Sequence, residues 1–279
     1  MEINLSDKLV IVTGGGRGIG REIVLTLAEE GATVVTTDIN AADLDSLGAE
    51  LDKRGASHRE FVCDVTNSGQ IGETITAINE EFGRIDVLVN NAGIVAKSSI
   101  AEMSEDTWDA LHDVNLKGTF LMCQAVLPTM KKQRAGRIIN AASFAAKVPI
   151  YGEAGYAASK IAVAHFTQAL AGEVGPWNIT ANCYAPGMIP TEMNQFAAKS
   201  PVEQNQLLDT LSLRRWGDAR DIAHLICYLA SDFASYITGT LIDISGGKLA
   251  TQVPRLAYEA AAMAGEYDFD MQISSVKEE

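Results

Sequence analysis

Short apolar runs alternate with longer amphipathic segments along the chain. Seven runs have the length of strands, and they span residues 8–14, 32–38, 59–65, 85–91, 136–142, 178–186 and 239–245. Most are continuously apolar, as in strands buried on both faces of a sheet, and the segments between them have the length of helices. The pattern predicts an α/β fold, a doubly wound sheet of seven mostly parallel strands with helices on both faces.

The chain shows no linker and no internal repeat, which predicts a single domain over residues 1–247. Residues 187–216 follow the sixth strand and carry mixed helical patterns, as in a loop that covers a substrate. Residues 248–279 form an acidic C-terminal extension with six acidic and three basic residues. Because this extension also carries aromatic and apolar residues, we expect part of it to pack on other protein surface, and we hypothesise that it reaches the substrate cleft of a neighbouring copy.

Composition excludes several classes of protein. The net charge of −14 disfavours binding to nucleic acid or to an anionic membrane surface, because both are polyanions. No stretch approaches the roughly 20 apolar residues of a membrane helix, and no basic, apolar leader opens the chain, so we expect a cytoplasmic protein. The four cysteines form no CxxC pair and the four histidines no ligand spacing, so no metal site is predicted.

A glycine-rich turn, VTGGGRGIG, joins the first strand to the first helix. Glycines at such a turn allow backbone conformations that a Cβ atom forbids, and the free amides at the helix start can bind a pyrophosphate. The context predicts a dinucleotide site, whose candidate residues here are Gly14, Arg17, Gly18, Ile19 and Gly20.

The second strand ends at Asp38, about 20 residues after the turn, where a carboxylate can accept hydrogen bonds from both hydroxyls of an adenosine ribose. That carboxylate repels a 2′-phosphate, whereas Arg17 could pair with one. Weighing Asp38 more heavily, we predict NAD as the cofactor, with NADP as the less favoured alternative. A second interpretation of Asp38 is the N-cap of the helix that follows.

Tyr156 and Lys160 lie four residues apart, on one face of a predicted helix. This spacing alone is weak evidence. Other polar motifs, however, end the fourth, fifth and sixth strands: NNAG at 90–93, NAAS at 140–143 and APG at 185–187. Open α/β sheets bind their ligands at the carboxyl ends of strands, so these motifs predict one common site.

Together these motifs, in this order, resemble the short-chain dehydrogenase/reductase family over residues 5–247. The resemblance implies a Rossmann fold, a homotetramer and a cofactor cleft in which Asp64 and Val65 border the adenine and Asn91 lines the wall. It further implies that residues after the sixth strand approach the nicotinamide, and that Asn115 breaks its helix and holds a water on a proton path. The cofactor residues it adds to those of the turn are Asp38, Asp64, Val65, Asn91, Tyr156, Lys160, Gly187, Ile189 and Thr191.

The predicted chemistry is hydride transfer between a secondary alcohol and a nicotinamide, which also requires an acid/base group at the substrate oxygen. Tyr156 meets this need if its pKa falls towards neutrality, and Lys160 is predicted to lower it. Ser143 is expected to donate to the substrate oxygen, and Asn115 completes the catalytic set. The predicted substrate-binding residues are Ser143, Glu153, Tyr156 and Met188.

Glu153 has two interpretations: it hydrogen-bonds a second hydroxyl of a polyol or other hydroxylated substrate, or it is an exposed carboxylate at a helix start. The predicted function is that of an NAD-dependent oxidoreductase acting on a small secondary alcohol and its ketone. Two alternatives stay open, an NADPH-dependent reductase of 3-oxoacyl groups on a carrier and a dinucleotide-binding sensor without turnover. The sequence does not identify the alcohol or the direction of the reaction.

Overall fold

The structure is a computed structural model and describes residues 3–191, 199–248 and 250–269. Within these residues, seven parallel strands form one sheet in the order β3-β2-β1-β4-β5-β6-β7. The strands are β1 (Leu9–Thr13), β2 (Thr33–Asp38), β3 (His58–Val62), β4 (Val87–Asn90), β5 (Gly136–Ala141), β6 (Ile179–Pro186) and β7 (Leu241–Ile244). Each overlaps one of the seven apolar runs, and the predicted fold class is confirmed.

The helices lie between the strands and after them. They are α1 (Gly18–Glu29), α2 (Ala41–Arg54), α3 (Ser68–Phe82), α4 (Glu105–His112), α5 (Gly118–Gln133), α6 (Ala154–Val174), α7 (Pro201–Leu208), α8 (Ala219–Ala230) and α9 (Arg255–Met263). A single π-helical turn, Asp113–Lys117, separates α4 from α5.

The sheet is buried on both faces. Because successive strand side chains point to opposite sides, each inner strand contributes residues to both apolar layers. In β1, Val10 and Val12 pack with residues of α1, α2 and α8. Leu9 and Ile11 pack with residues of α3, α5 and α6. This division into two apolar layers explains why the strands read as continuous apolar runs rather than as an alternation.

The third strand, His58–Val62, begins one residue before the run 59–65 and ends three residues before its end; it is an edge strand that pairs with β2. The predicted substrate loop, 187–216, contains α7, and its residues 192–198 lie outside the described residues. Of the C-terminal extension, residue 249 and residues 270–279 lie outside them as well. None of the described helices is long and apolar enough to cross a membrane.

The topology brings the candidate motifs together. Thr13 at the end of β1 pairs in register with Asn90 at the end of β4, and Asn90 pairs with Asn140 in β5. Since neighbouring parallel strands end at the same edge, the glycine turn and the residues that follow β4, β5 and β6 share one side of the molecule.

Candidate active site

The glycine turn has the backbone that its sequence predicts. Gly14 and Gly18 adopt φ values of +62° and +55°, a region that favours glycine. A Cβ atom on Gly20 would lie 2.0 Å from the carbonyl oxygen of Gly14, so the turn and the first residues of α1 can pack this closely only with glycine there.

Asn91 braces this turn from the neighbouring strand. Its Nδ2 donates to the carbonyl oxygens of Thr13, at 3.2 Å, and of Gly14, at 3.0 Å. The Thr13 hydroxyl accepts hydrogen bonds from the backbone amides of Asn91 and Ala92, both at 3.1 Å. Asn91 therefore fixes the position of the turn, a contact that the sequence prediction of a cleft-lining residue did not include.

The start of α1 suits a dinucleotide phosphate. The Arg17 side chain makes no capping hydrogen bond there, and the first turn of α1 contains no acidic residue, so backbone amides and the positive end of the helix dipole are presented together. The Thr191 methyl lies 3.9 Å from the position of a Cβ on Gly18, so the segment after β6 approaches the turn. Ile189, by contrast, is buried against the core.

Asp38 is oriented by two backbone amides. Its carboxylate accepts from the Gly16 amide at 3.0 Å and from the Asn40 amide at 3.1 Å. The N-cap of α2 is Asn40, whose side chain accepts from the amides of Ala42 and Asp43. The interpretation of Asp38 as that N-cap is therefore wrong, and its carboxylate lies beside the glycine turn.

Asp64 and Val65 follow β3. Asp64 Oδ1 accepts hydrogen bonds from the backbone amide and the hydroxyl of Thr66, both at 2.8 Å, which fixes this short loop. Val65 is buried and lies so close to Gly118, the first residue of α5, that a Cβ there would stand 2.8 Å from its side chain. Their contact with an adenine stays a prediction.

Tyr156 and Lys160 occupy the first turns of α6. The Lys160 ammonium is buried, donates to the Ala141 carbonyl oxygen at 2.9 Å, and lies 5.8 Å from the centre of the Tyr156 ring. Burial lowers the pKa of Lys160 to about 8. The helix thus holds a cationic group near the phenol, as the spacing predicts.

The pKa of Tyr156 moves upward in the structure. Burial raises it first, a hydrogen bond with the Ser143 side chain lowers it, and the Glu153 charge raises it again. Without a cofactor the pKa of Tyr156 therefore lies above its usual value, and its lowering by Lys160 together with the charge of an oxidised nicotinamide stays a prediction. The physical reason for the rise is that the same burial that brings the two side chains together removes water from the phenolate and weakens the charge on Lys160.

Asn115 sits in the π-helical turn between α4 and α5, so the helix is interrupted at this residue. Its side chain accepts from the Ile94 amide at 2.8 Å and donates to the Ile94 carbonyl at 3.0 Å and the Ser159 hydroxyl at 2.9 Å. Asn115 therefore ties the segment after β4 to α6.

Gly93 marks how near Asn115 lies to Lys160. A Cβ on Gly93 would stand 3.0 Å from the Asn115 carbonyl oxygen and 3.2 Å from the Lys160 ammonium, so both groups face the same residue.

The two further substrate-binding candidates differ in surroundings. Glu153 is 7% exposed and pairs at 3.3 Å with Lys97, so its interpretation as an exposed carboxylate is wrong. Met188 is buried in a cluster with Leu208 and Leu211, at the end of α7 and just beyond it. Gly187, before it, packs so tightly on the Ser245 backbone that a Cβ would stand 2.5 Å from the Cα of Ser245.

Sequence reasoning missed Lys97, which brings a cation to the buried Glu153, and Ser159, which holds Asn115. Neither residue carries a local signal, because each partner lies more than 40 residues away along the chain. Among the described residues, no group of three His, Cys, Asp or Glu side chains is placed to hold a metal ion.

Comparison with known proteins agrees with this arrangement. The short chain dehydrogenase family model matches residues 8–201. A 3-oxoacyl-[acyl-carrier-protein] reductase of Thermotoga maritima is 42% identical over 249 residues, which cover 88% of this chain and 99% of the relative.

Two solved structures share the fold. A gluconate 5-dehydrogenase from Burkholderia cenocepacia, in complex with NADP and tartrate, aligns with a TM-score of 0.86 at 31% identity, over 90% of this chain and 98% of that one. A levodione reductase aligns with a TM-score of 0.85 at 34% identity, over 89% of this chain and all of that one.

The chain belongs to the short-chain dehydrogenase family. It is an NAD(P)-dependent oxidoreductase that acts on CH–OH groups.

Proposed function

We propose that the protein interconverts a small, hydroxylated secondary alcohol and its ketone, with NAD as the cofactor. The observation that supports the reaction is that Tyr156 has both partners beside it: its side chain hydrogen-bonds with that of Ser143, and the Lys160 ammonium lies 5.8 Å from the centre of its ring. This grouping supplies the donor, the acid/base group and the cation that alcohol oxidation requires.

In this proposal the backbone amides at the start of α1 would hold the pyrophosphate, and Lys160 and Thr191 would hold the nicotinamide end. Bound NAD supplies the hydride acceptor and a positive charge. Ser143 donates to the substrate oxygen, Tyr156 takes the alcohol proton, and Lys160 with Asn115 passes that proton towards solvent. The phenolate needs stabilising charge at the bound site, because burial alone raises the pKa of Tyr156.

Asp38 supports NAD over NADP. Two backbone amides hold its carboxylate beside the turn, at the end of β2, where the ribose of the adenosine would lie. A 2′-phosphate at this place meets a fixed negative charge. We therefore expect the kcat/KM with NADH to exceed that with NADPH by at least tenfold, which corresponds to about 1.4 kcal/mol.

The substrate class follows from Glu153 and Lys97. A buried carboxylate three residues before Tyr156 is a suitable acceptor for a second substrate hydroxyl. Lys97, whose side chain is 67% exposed, pairs with it at the surface end. The similarity to a gluconate 5-dehydrogenase whose structure contains tartrate supports a hydroxylated substrate.

A second candidate function is the reduction of 3-oxoacyl groups carried by a protein, and the 42% identity to such a reductase favours it. Against it stands the net charge of −14, which disfavours docking of an acidic carrier.

The experiment is a substrate panel read as NADH or NADPH absorbance. It contains vicinal diols, matching mono-alcohols, hydroxy acids, the corresponding ketones and a 3-oxoacyl thioester. We expect the diol or hydroxy acid with NAD to give the highest kcat/KM. Glu153→Gln should remove the preference for the hydroxylated substrate, whereas the matched control Glu102→Gln, on an exposed loop carboxylate, should keep it. Highest activity with the thioester and NADPH would favour the second candidate.

We also propose the homotetramer that the family resemblance implies. Phe120 on α5 is 40% exposed and Ile161 on α6 is 38% exposed. The rings of Phe120 and Phe166 lie edge to face with their centroids 6.3 Å apart. A second copy packed on this apolar surface would cover it. Light scattering that gives the mass of a monomer would contradict the proposal.

A further inference from the structure

The C-terminal extension lies against the substrate loop of its own chain. Tyr258 in α9 donates from its hydroxyl to the Ser212 carbonyl oxygen at 2.5 Å, and Arg255 donates to Asp209 Oδ2 at 3.1 Å. The rings of Tyr258 and Tyr267 pack edge to face with their centroids 4.9 Å apart. The rings of Tyr267 and Phe269 do the same with their centroids 5.1 Å apart. The extension therefore packs on the described end of that loop, as its aromatic residues predict.

Arg214 joins the two segments. It is 2% exposed, and its guanidinium donates to Asp209 Oδ1 at 2.9 Å and to Asn205 Oδ1 at 2.8 Å, both at the end of α7. On the other side it donates to the Tyr267 hydroxyl at 3.3 Å and lies 4.6 Å from the centre of the Phe269 ring. A planar guanidinium can serve all four partners at once, which a lysine ammonium cannot.

The same helix end reaches the active site. Leu208 and Leu211 bury the side chain of Met188, which comes two residues after the last residue of β6. Met188 is itself one of the predicted substrate-binding residues. The position of α7 is therefore coupled to the wall of the substrate cleft by apolar packing.

Most of the extension has no counterpart in the Thermotoga maritima relative. The Thermotoga relative is covered over 99% of its length by 88% of this chain, so about 12% of this chain has no counterpart. Only eight residues precede β1. Most of the unmatched part therefore lies at the C-terminal end, where the extension is.

We propose that residues 255–269 are a strap that fixes residues 199–216, the described end of the substrate loop of their own chain, and that Arg214 is the positioning residue through which the strap acts. The strap sets the affinity for the alcohol or ketone and leaves the dinucleotide site unchanged. The proposal needs only the oxidoreductase activity of the family, whichever substrate proves to be the natural one.

The test replaces the two strap side chains that contact Arg214, in the full chain, as Tyr267→Ala with Phe269→Ala. The control is Met263→Ala, which removes an 89% exposed side chain from the same extension. We expect the double variant to raise the KM for the best panel substrate about tenfold, because a hydrogen bond to a charged group and a cation–π contact are lost. The KM of the double variant for the dinucleotide should stay within about twofold of the wild type. Both KM values of the Met263→Ala control should do the same.

Limited trypsin digestion gives a readout that needs no activity. The double variant should be cut faster after Lys199 or Arg215, and Arg214→Lys should give a smaller change in the same direction. The proposal would be overturned if the double variant had the same substrate KM and the same rate of trypsin cleavage as the wild type. An equal rise in both KM values with a lower unfolding temperature would also overturn it, because it would show general destabilisation instead of positioning.

Discussion

Lys160→Met offers the most quantitative prediction, because it replaces a buried cation by an apolar side chain of similar length. The Lys160 ammonium is buried, and its pKa falls from 10.5 to about 8. This lowering of the Lys160 pKa corresponds to roughly 3 kcal/mol. This is the cost of keeping the charge inside the folded protein below pH 8.

The sign follows from proton binding. Between pH 8 and 10.5 the unfolded chain binds the lysine proton and the folded protein does not, so the free energy of unfolding rises with pH by up to about 1.4 kcal/mol per unit. The variant has no such group. At neutral pH the variant also loses the bond to the Ala141 carbonyl, which offsets about 1.5–3 kcal/mol of the gain.

The assay is urea unfolding of both proteins, without added dinucleotide, at pH 7.5, 8.5, 9.5 and 10. We expect the wild type to gain about 2 kcal/mol relative to the variant over this range, since other titrating groups are common to both. If the difference in unfolding free energy between the wild type and the variant did not change with pH, the assignment of a buried, easily deprotonated Lys160 would be refuted. Activity should be lost in the variant at every pH.

Three further outcomes are expected. Asp38→Ser should raise kcat/KM with NADPH relative to NADH by about tenfold to a hundredfold, and an unchanged ratio would remove Asp38 from cofactor selection. Gly20→Ala should abolish dinucleotide binding in a fluorescence titration, because its Cβ would lie 2.0 Å from the Gly14 oxygen; wild-type binding would contradict this. Burial lowers the pKa of His58 but Glu60 and Asp52 raise it more, so the net shift is upward. His58→Ala should therefore lose stability against the wild type below about pH 6.5, and the loss should fade as pH rises through the folded pKa; a loss independent of pH would contradict it.

The sheet was predictable because burial on both faces leaves a strong local mark. Leu9 to Val12 are all apolar, and each alternate pair serves one of two helix layers. The strand ends were predictable for the same reason, and with them the meeting of the glycine turn, Ser143 and Tyr156 at one edge.

Other features depend on contacts between distant residues. The spacing of Tyr156 and Lys160 predicts that they are neighbours, but the direction of the tyrosine pKa depends on how much water burial removes. The pair of Lys97 with Glu153 joins a loop to a helix 56 residues later. Arg214 looks like an ordinary surface arginine in the sequence, and only the fold brings Tyr267 and Phe269 to it.

Tyr156→Phe tests the central claim most directly, because it removes one hydroxyl from the proposed proton path and leaves the ring in place. Turnover of the best panel substrate and dinucleotide affinity are measured on the same preparation. We expect a loss of turnover of about a hundredfold to ten-thousandfold with dinucleotide affinity within about twofold of the wild type. Undiminished turnover in a variant that still binds the dinucleotide would contradict it.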